Sequence, residues 1–112
     1  MNAKPSLTVG LPVYNGEEFL REALDSILGQ TFGDFRLVVS DNGSTDSTEG
    51  ICREYASRDP RIDYLRYDVN RGAAWNYNNV FAHCDTPYFR WTAADDAFAP
   101  TCFERCADVM AH

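Results

Sequence analysis

Short apolar stretches alternate with longer amphipathic stretches along the chain, and this alternation predicts four strands and four helices. The apolar stretches are rich in β-branched and aromatic residues, as strands are. In the stretches between them, apolar residues recur every three or four positions, as on one face of a helix. The strands are expected at residues 6–11, 35–40, 62–67 and 88–93. The helices are expected at 17–30, from Asp46 to about 58, near 73–83, and from Pro100 onward.

The first predicted helix carries a continuous apolar face. Its members follow the 3.6-residue period of an α-helix: Phe19, Leu20, Ala23, Leu24, Ile27 and Leu28. The second helix is expected to be capped by Asp46, which follows a turn at Gly43. Both helices are therefore expected to pack against the sheet.

Alternating strands and helices predict a parallel sheet with right-handed crossovers, so every strand ends at the same edge. The sequence after the four strands reads PVYNG, DNGSTD, DVNRG and AADDAF. Turns favour Asn, Asp and Gly by themselves, which explains any one of these segments. Because ligands bind at this edge in open α/β sheets, the four segments together predict a polar cleft.

The charge balance limits the partners of the protein. Ten Lys and Arg residues stand against 17 Asp and Glu in 112 residues, which gives a formal charge of −7. Nucleic acid and anionic membrane surfaces would be repelled, so no nucleic-acid partner is expected. The chain is expected to be one folded unit, without a leader sequence or a membrane span, in the cytoplasm.

The four cysteines do not form a metal or disulfide pattern. Only Cys102 and Cys106 are close in sequence, and the chain has no C-x-x-C pair. Reduced, partly buried cysteines are therefore favoured over a disulfide or a zinc site.

Adjacent aspartates end the fourth predicted strand. Asp95 and Asp96 have no basic neighbour in RWTAADDAF, and like charges disfavour each other's ionisation unless a cation lies between them. A Rossmann dinucleotide motif and a P-loop are absent from this sequence. A receiver-like domain would carry its acidic pair after the first strand. The alternative is that the pair caps a helix beginning near Pro100.

The motifs resemble glycosyltransferase family 2 in order and spacing. The matching segments are LPVYNGEEFLREALDSILGQTFGDFRLVVSDNGSTDST, then NRGAAWN, then a strand ending in ADD. The resemblance implies an α/β, three-layer, Rossmann-like GT-A fold, mainly a parallel sheet with helices on both faces. Residues 1–112 would be its N-terminal nucleotide-sugar-binding part, truncated before the acceptor half.

The resemblance also implies roles for individual residues. The residues expected near the nucleotide are Pro12, Val13, Tyr14, Asn15, Asp41, Asn70, Arg71, Gly72, Asn76 and Asp95. Asp95 and Asp96 match the family's D-x-D metal motif, which implies Mg2+ or Mn2+ shared with the donor diphosphate. Asp41 is expected to contact the nucleoside, although capping of the DNGSTD turn is an alternative.

The implied activity is transfer of a sugar, with inversion, from a nucleotide-diphosphate sugar to a saccharide or lipid-linked acceptor. A UDP-sugar is the first expectation, and the parent protein could lie at the inner face of the membrane. Ala93 replaces the first aspartate of the metal motif, which favours a non-catalytic nucleotide-sugar-binding or interaction module as the alternative.

Three further expectations follow from the resemblance. Trp75 stands where many relatives have arginine, and packing is favoured over ligand stacking. The general base is expected beyond His112, so the chain alone should transfer no sugar. Apolar surface around Phe98 to Met110 would then be exposed, which predicts self-association.

Overall fold

The computed structural model describes residues 5–94, in which strands and helices alternate as predicted. The elements are β1 (Leu7–Val13), α1 (Leu20–Leu28), β2 (Phe35–Asn42), α2 (Thr48–Arg58), β3 (Ile62–Tyr67), α3 (Ala73–Ala82) and β4 (Tyr88–Trp91). The helix predicted from Pro100, the predicted metal ligands Asp95 and Asp96, and the apolar segment Phe98 to Met110 lie outside the described residues.

The four strands form one parallel sheet in the order β3-β2-β1-β4. Leu7 is level with Phe35 of β2 on one side and with Tyr88 of β4 on the other. The chain therefore moves outward from β1 to β3, then crosses back over the sheet to place β4 on the other side of β1. This reversal between β1 and β4 makes a topological switch point, where open α/β sheets bind ligands.

Alternate residues of the central strands face two different helix layers. Val9, Leu11, Leu37 and Val39 are buried in one core with α1 and α2. On the opposite face, Ser40 of β2 hydrogen-bonds Asn76 of α3. The sheet thus lies between two layers of helices, which confirms the predicted three-layer α/β arrangement.

The structure differs from the sequence expectation at Phe19 and at three strand ends, among them that of β4, which ends at Trp91 and not at residue 93. Phe19 was expected on the buried face of α1, but the helix begins one residue later, and Phe19 is 49% exposed. Strands β1 and β2 each extend two residues beyond their predicted ends, so Pro12, Val13 and Asp41 lie within strands. None of the helices in residues 5–94 is both long and apolar enough to cross a membrane.

Candidate functional site

A pocket of about 180 Å3 opens at the carboxyl edge of the sheet, between the ends of β1 and β2 and the start of α3. Five of the residues predicted to bind nucleotide line it: Pro12, Val13, Tyr14, Asn70 and Asn76. The remaining lining residues are Asn42, Ala73 and Tyr77. We call this the amide pocket, because side-chain amides of asparagine form part of its wall.

The side chain of Asn42 holds the β3–α3 turn in place. Its Oδ1 accepts a hydrogen bond from the Arg71 N–H at 2.9 Å, while its Nδ2 donates to Asn70 Oδ1 at 2.8 Å and to the Gly72 carbonyl at 3.2 Å. Asn42 is 2% exposed, so these bonds are shielded from water. The predicted element Asn70–Gly72 is thereby fixed against the end of β2.

A second buried amide, Asn76, joins α3 to the sheet. Its Oδ1 accepts from Ser40 Oγ at 2.6 Å, and its Nδ2 donates to the Ser40 carbonyl at 3.0 Å. Both polar atoms of the amide are therefore occupied by β2. Asn76 contributes to the pocket as part of a rigid wall.

The loop after β1 is interlocked with the loop after β2. The Asn15 N–H donates to Ser44 Oγ at 2.9 Å, and the Thr45 N–H donates back to Asn15 Oδ1 at 2.8 Å. The Gly16 N–H donates to Thr48 Oγ1 at 2.9 Å. Asn15 has φ of 50°, a left-handed conformation that asparagine tolerates better than most residues. Its side chain is thus used to fasten one loop to the other.

Two carboxylates continue the same interlock. Asp46 accepts from the Glu17 N–H at 3.3 Å and from the Thr48 N–H at 2.9 Å. The N-cap residue of α2 is Ser47, so Asp46 lies one residue before the cap position that the sequence predicted for it. Glu17 accepts from the Ser47 N–H at 3.3 Å. Burial raises the pKa of the Asp46 carboxyl, but the hydrogen bonds from Thr48 and Glu17 outweigh it, so this pKa is below its ordinary value.

Asp41 lies on the face of the sheet that carries α2 and is fully buried. Its Oδ1 accepts from the Ser44 N–H at 3.0 Å. Its Oδ2 accepts from the Tyr64 hydroxyl at 2.5 Å and from Arg66 Nη1 at 3.1 Å. Burial and the neighbouring Asp41 carboxylate raise the pKa of Tyr64, which keeps its phenol as a neutral donor. In this structure, protein groups occupy both carboxylate oxygens of Asp41.

The predicted residues Arg71 and Trp75 pack against each other. The Arg71 guanidinium carbon lies 5.1 Å from the centre of the Trp75 ring, and Trp75 meets Tyr67 edge to face at 4.9 Å. Trp75 is therefore a packing residue in this structure, which is the role that the sequence favoured. The Arg71 side chain stays exposed beside the amide pocket.

A neighbouring pocket of about 260 Å3 lies at the switch point between β1 and β4. Its lining residues are Tyr14, Asn15, Gly16, Glu18, Phe19 and Ala94. We call it the acidic pocket, because Glu18 is the charged residue among them. Tyr14 lines both pockets, so the two are adjacent, and Ala94 directly precedes the predicted metal ligand Asp95 in sequence.

The sequence model described as glycosyl transferase family 2 matches residues 8–112. The chain belongs to glycosyltransferase family 2. It is 34% identical over 106 residues to an uncharacterized glycosyltransferase of Rickettsia prowazekii, covering 95% of this chain and 32% of that protein. It is 38% identical over 90 residues to glycosyltransferase GlyA of Streptococcus pneumoniae, covering 80% and 13%. The family 2 chain thus spans about a third or less of these relatives.

Solved structures confirm the GT-A fold of this family 2 chain. The mannosyltransferase PcManGT of Pyrobaculum calidifontis, solved with GDP-Man and Mn2+, matches with a TM-score of 0.86 and 27% identity. The match covers 98% of this chain and 33% of that one. S. aureus TarS residues 1–349 match with the same TM-score, 24% identity and 95% and 32% coverage. The described strands and helices are therefore those of the N-terminal part of the fold.

The amide pocket is also lined by three residues that the sequence did not predict, namely Asn42, Ala73 and Tyr77. Asn42 directly follows Asp41 at the end of a strand, and this position was the signal that it faces the same edge.

Within residues 5–94, no group of three or more His, Cys, Asp or Glu side chains is placed to hold a metal ion. A larger pocket of about 330 Å3 lies at the opposite edge, where Arg36 is paired with Asp63 and Arg61 with Asp59.

Replacing Asn42 with alanine is expected to lower the free energy of unfolding by about 1–3 kcal/mol. The Arg71 N–H and the Asn70 amide would lose buried hydrogen-bond partners. Urea unfolding measures this change. Asn78→Ala on the exposed side of α3 is the matched control, and it should leave stability unchanged or slightly higher because alanine favours helices. An equal effect of the two substitutions would contradict the clamping role of Asn42.

Proposed function

We propose that this chain is the donor-binding part of an inverting glycosyltransferase. The parent enzyme would transfer a sugar from a nucleotide-diphosphate sugar to a hydroxyl of a saccharide or lipid-linked acceptor. The observation that carries the proposal is the amide pocket, because it unites Tyr14 at the end of β1 with Asn70 and Asn76 around the start of α3, at the ligand-binding edge of the sheet.

The lining of the amide pocket suits a nucleoside. The rings of Pro12, Tyr14 and Tyr77 offer apolar surface, and the amides of Asn42 and Asn70 lie among them. Ligand sites typically combine apolar walls with a few fixed polar groups in this way. Although the whole chain is acidic, the residues of 5–94 that line this pocket include no Asp or Glu. A ligand that carries phosphates therefore meets little local repulsion here.

The start of α3 supports a diphosphate beside the nucleoside. Ala73, the first residue of α3, lines the pocket, and no acidic residue lies in the first turn. The N-terminus of a helix carries partial positive charge and presents backbone N–H groups, both of which favour phosphate oxygens. The exposed Arg71 side chain adds a positive charge next to this terminus.

The proposal assigns the metal to Asp95 and Asp96, as Mg2+ or Mn2+ shared with the donor diphosphate. Carboxylate and phosphate oxygens are the ligands that these hard cations prefer, so the donor set fits. When bound, such an ion stabilises negative charge on the leaving diphosphate. The relative PcManGT, which was solved with GDP-Man and Mn2+, supports both the donor class and the metal.

In the proposed reaction, an acceptor hydroxyl oxygen bonds to the anomeric carbon as the bond from that carbon to the diphosphate breaks. Attack from the opposite face inverts the anomeric centre, and the hydroxyl proton passes to a general base. We assign no described residue to this base, so the chain alone should bind the donor without transferring its sugar. Ala93 supports the second candidate, a non-catalytic module that binds the same donor.

A cytoplasmic location is part of the proposal. Among the described residues, Cys52 and Cys84 are free thiols, as a reducing compartment favours. Burial raises the pKa of Cys52 to about 12, with a further contribution from the charge of Asp41, so its thiol stays protonated. Self-association of the chain stays a prediction, because it rests on residues 98–110.

Calorimetric titration of UDP and of GDP, each with Mn2+ and with chelator, tests the proposal. We expect metal and nucleotide to raise each other's affinity by a factor of roughly 5–150. Asp95→Asn and Asp96→Asn should reduce this coupling. Asp68→Asn changes an exposed carboxylate at the same edge of the sheet and should leave the coupling intact.

Two outcomes would count against the proposal. Failure of both nucleotides to bind under any condition would reject the donor site. Equal nucleotide affinity with Mn2+ and with chelator, unchanged in both aspartate variants, would reject the metal and favour helix capping by the pair.

A further inference from the structure

The acidic pocket and the amide pocket share Tyr14 and meet at the switch point of the sheet. A ligand larger than a nucleoside would extend from one into the other. The acidic pocket has the larger volume, about 260 Å3 against 180 Å3, and the ends of β1 and β4 lie on either side of it. The residues that line the acidic pocket therefore determine the chemistry of the ligand part that can bind there.

Two exposed aromatic rings form walls of the acidic pocket. Tyr14 is 47% exposed and Phe19 is 49% exposed. Aromatic side chains half exposed on a concave surface are typical of binding sites, because a ligand that covers them removes apolar area from water. The flat C–H face of a sugar ring is one surface that packs against such rings.

Glu18 supplies a hydrogen-bond acceptor between these walls. Unlike Glu17, which accepts from the Ser47 N–H, Glu18 makes no hydrogen bond or ion pair with another described residue. An ionised carboxylate is an acceptor only, so its natural partners are hydroxyl and N–H donors. Among the described residues of the lining there is no Lys or Arg, and these residues would therefore repel a phosphate or carboxylate.

From this combination we propose that the acidic pocket receives the sugar ring of the donor, and that Glu18 selects a neutral, hydroxyl-bearing sugar. The nucleoside lies in the amide pocket, and Tyr14 contacts both parts of the ligand. This inference rests on the proposed donor function and adds a specificity residue to it. Glu18 accepts a sugar hydroxyl, while Phe19 packs against the ring.

The test compares three ligands with the same nucleotide, in Mn2+, by calorimetry on the purified chain: UDP, UDP-glucose and UDP-glucuronate. GDP and GDP-mannose are titrated in parallel. We expect the neutral sugar to tighten binding about 3–10-fold over the bare diphosphate, as one hydrogen bond of typical net strength contributes. The glucuronate should bind more weakly than the glucose, since its carboxylate faces Glu18.

Glu18→Gln should remove the difference between UDP-glucose and UDP-glucuronate and leave the affinity for UDP unchanged. Phe19→Ala should lower the sugar-dependent gain, whereas Phe19→Leu should keep part of it. Glu22→Gln is the matched control, because Glu22 is an exposed carboxylate in the first turn of α1 that does not line the pocket. Circular dichroism should show unchanged folding, since both substituted side chains are exposed.

The results separate this inference from the proposed function. If UDP and GDP bind but a sugar adds nothing, or if Glu18→Gln keeps the preference for glucose over glucuronate, the inference is wrong and the donor function stands. If neither nucleotide binds, the proposed function itself fails. A gain from the sugar that Glu18→Gln reduces and Glu22→Gln preserves supports the assignment.

Discussion

Replacing Asp41 with alanine is expected to destabilise the fold by about 1–3 kcal/mol, the cost of leaving buried donors without their hydrogen-bond acceptor. The carboxylate is fully buried and accepts hydrogen bonds from Tyr64, Arg66 and the backbone of Ser44. Without it, the Tyr64 hydroxyl loses its charged acceptor, and the Arg66 guanidinium keeps only its ion pair with Glu49 at 3.4 Å. The ends of β2 and β3 would no longer be joined by side chains on this face.

Urea unfolding of the wild type and three variants measures the effect. Tyr64→Phe removes one of the three hydrogen bonds and should cost about 0.5–1.5 kcal/mol. Glu54→Ala removes a carboxylate that also contacts two arginines, but at the surface, where such pairs contribute about 0–1 kcal/mol. A loss below 1 kcal/mol for Asp41→Ala would contradict the buried-network interpretation.

A second substitution at Asp41 tests the contact with the nucleoside that the family resemblance implies. Asp41→Asn preserves the size of the side chain, so enough folded protein should remain for nucleotide titration. Because protein donors already occupy both oxygens, we expect the folded Asp41→Asn protein to bind UDP with nearly unchanged affinity. A loss of tenfold or more in the folded protein would instead support direct contact.

Replacing Gly43 with alanine is expected to cost about 3 kcal/mol or more. Gly43 has φ of +77°, which alone costs a residue with a side chain about 1–3 kcal/mol. A Cβ atom would also lie 2.7 Å from the backbone nitrogen of Asn70 and 2.8 Å from the carbonyl carbon of Val69. These backbone atoms cannot rotate away, so overpacking adds about 1–3 kcal/mol.

Alanine substitutions at two other glycines separate the cost of the positive φ from the cost of overpacking. Thermal and urea unfolding measure both. Gly72 also has positive φ, +94°, but a Cβ there would have no neighbour within 4 Å, so Gly72→Ala should show the backbone cost alone. Gly50 lies in α2 with open space around it, and Gly50→Ala should stabilise the protein by about 0.5–1 kcal/mol. If Gly43→Ala costs no more than Gly72→Ala, the close approach of the two turns is not a constraint.

The order of the elements was predictable because each strand and helix has its own periodicity. The apolar positions of residues 35–40 and 62–67 alone place two parallel strands, and β3 has the predicted bounds. The ends were less predictable. Asp41 and Asn42 read as turn residues, but hydrogen bonds to β3 extend β2 through both of them. Phe19 read as a core residue by its spacing, but α1 begins after it.

The location of the site was predictable from the sequence, whereas the hydrogen-bond partners of each side chain were not. The parallel topology brings Tyr14 to the same edge as Asn70 and Asn76, which lie more than 50 residues further along the chain, as the sequence indicated. Sequence spacing cannot show that the amides of Asn15 and Asn76 point into other parts of the protein. Those roles depend on partners such as Ser40 and Thr45, which only the folded backbone brings within hydrogen-bond distance.

The interlock between the loops after β1 and β2 determines how a ligand meets this edge. Fixing the backbone of a free loop costs about 1–2 kcal/mol of conformational entropy per residue. Here hydrogen bonds between protein groups hold Asn15, Gly16, Ser44 and Thr45 in place. This conformational entropy is lost when the chain folds, so it does not have to be lost again when a ligand binds. The loops after β1 and β2 should therefore not have to close before a ligand binds, so they should not slow its association.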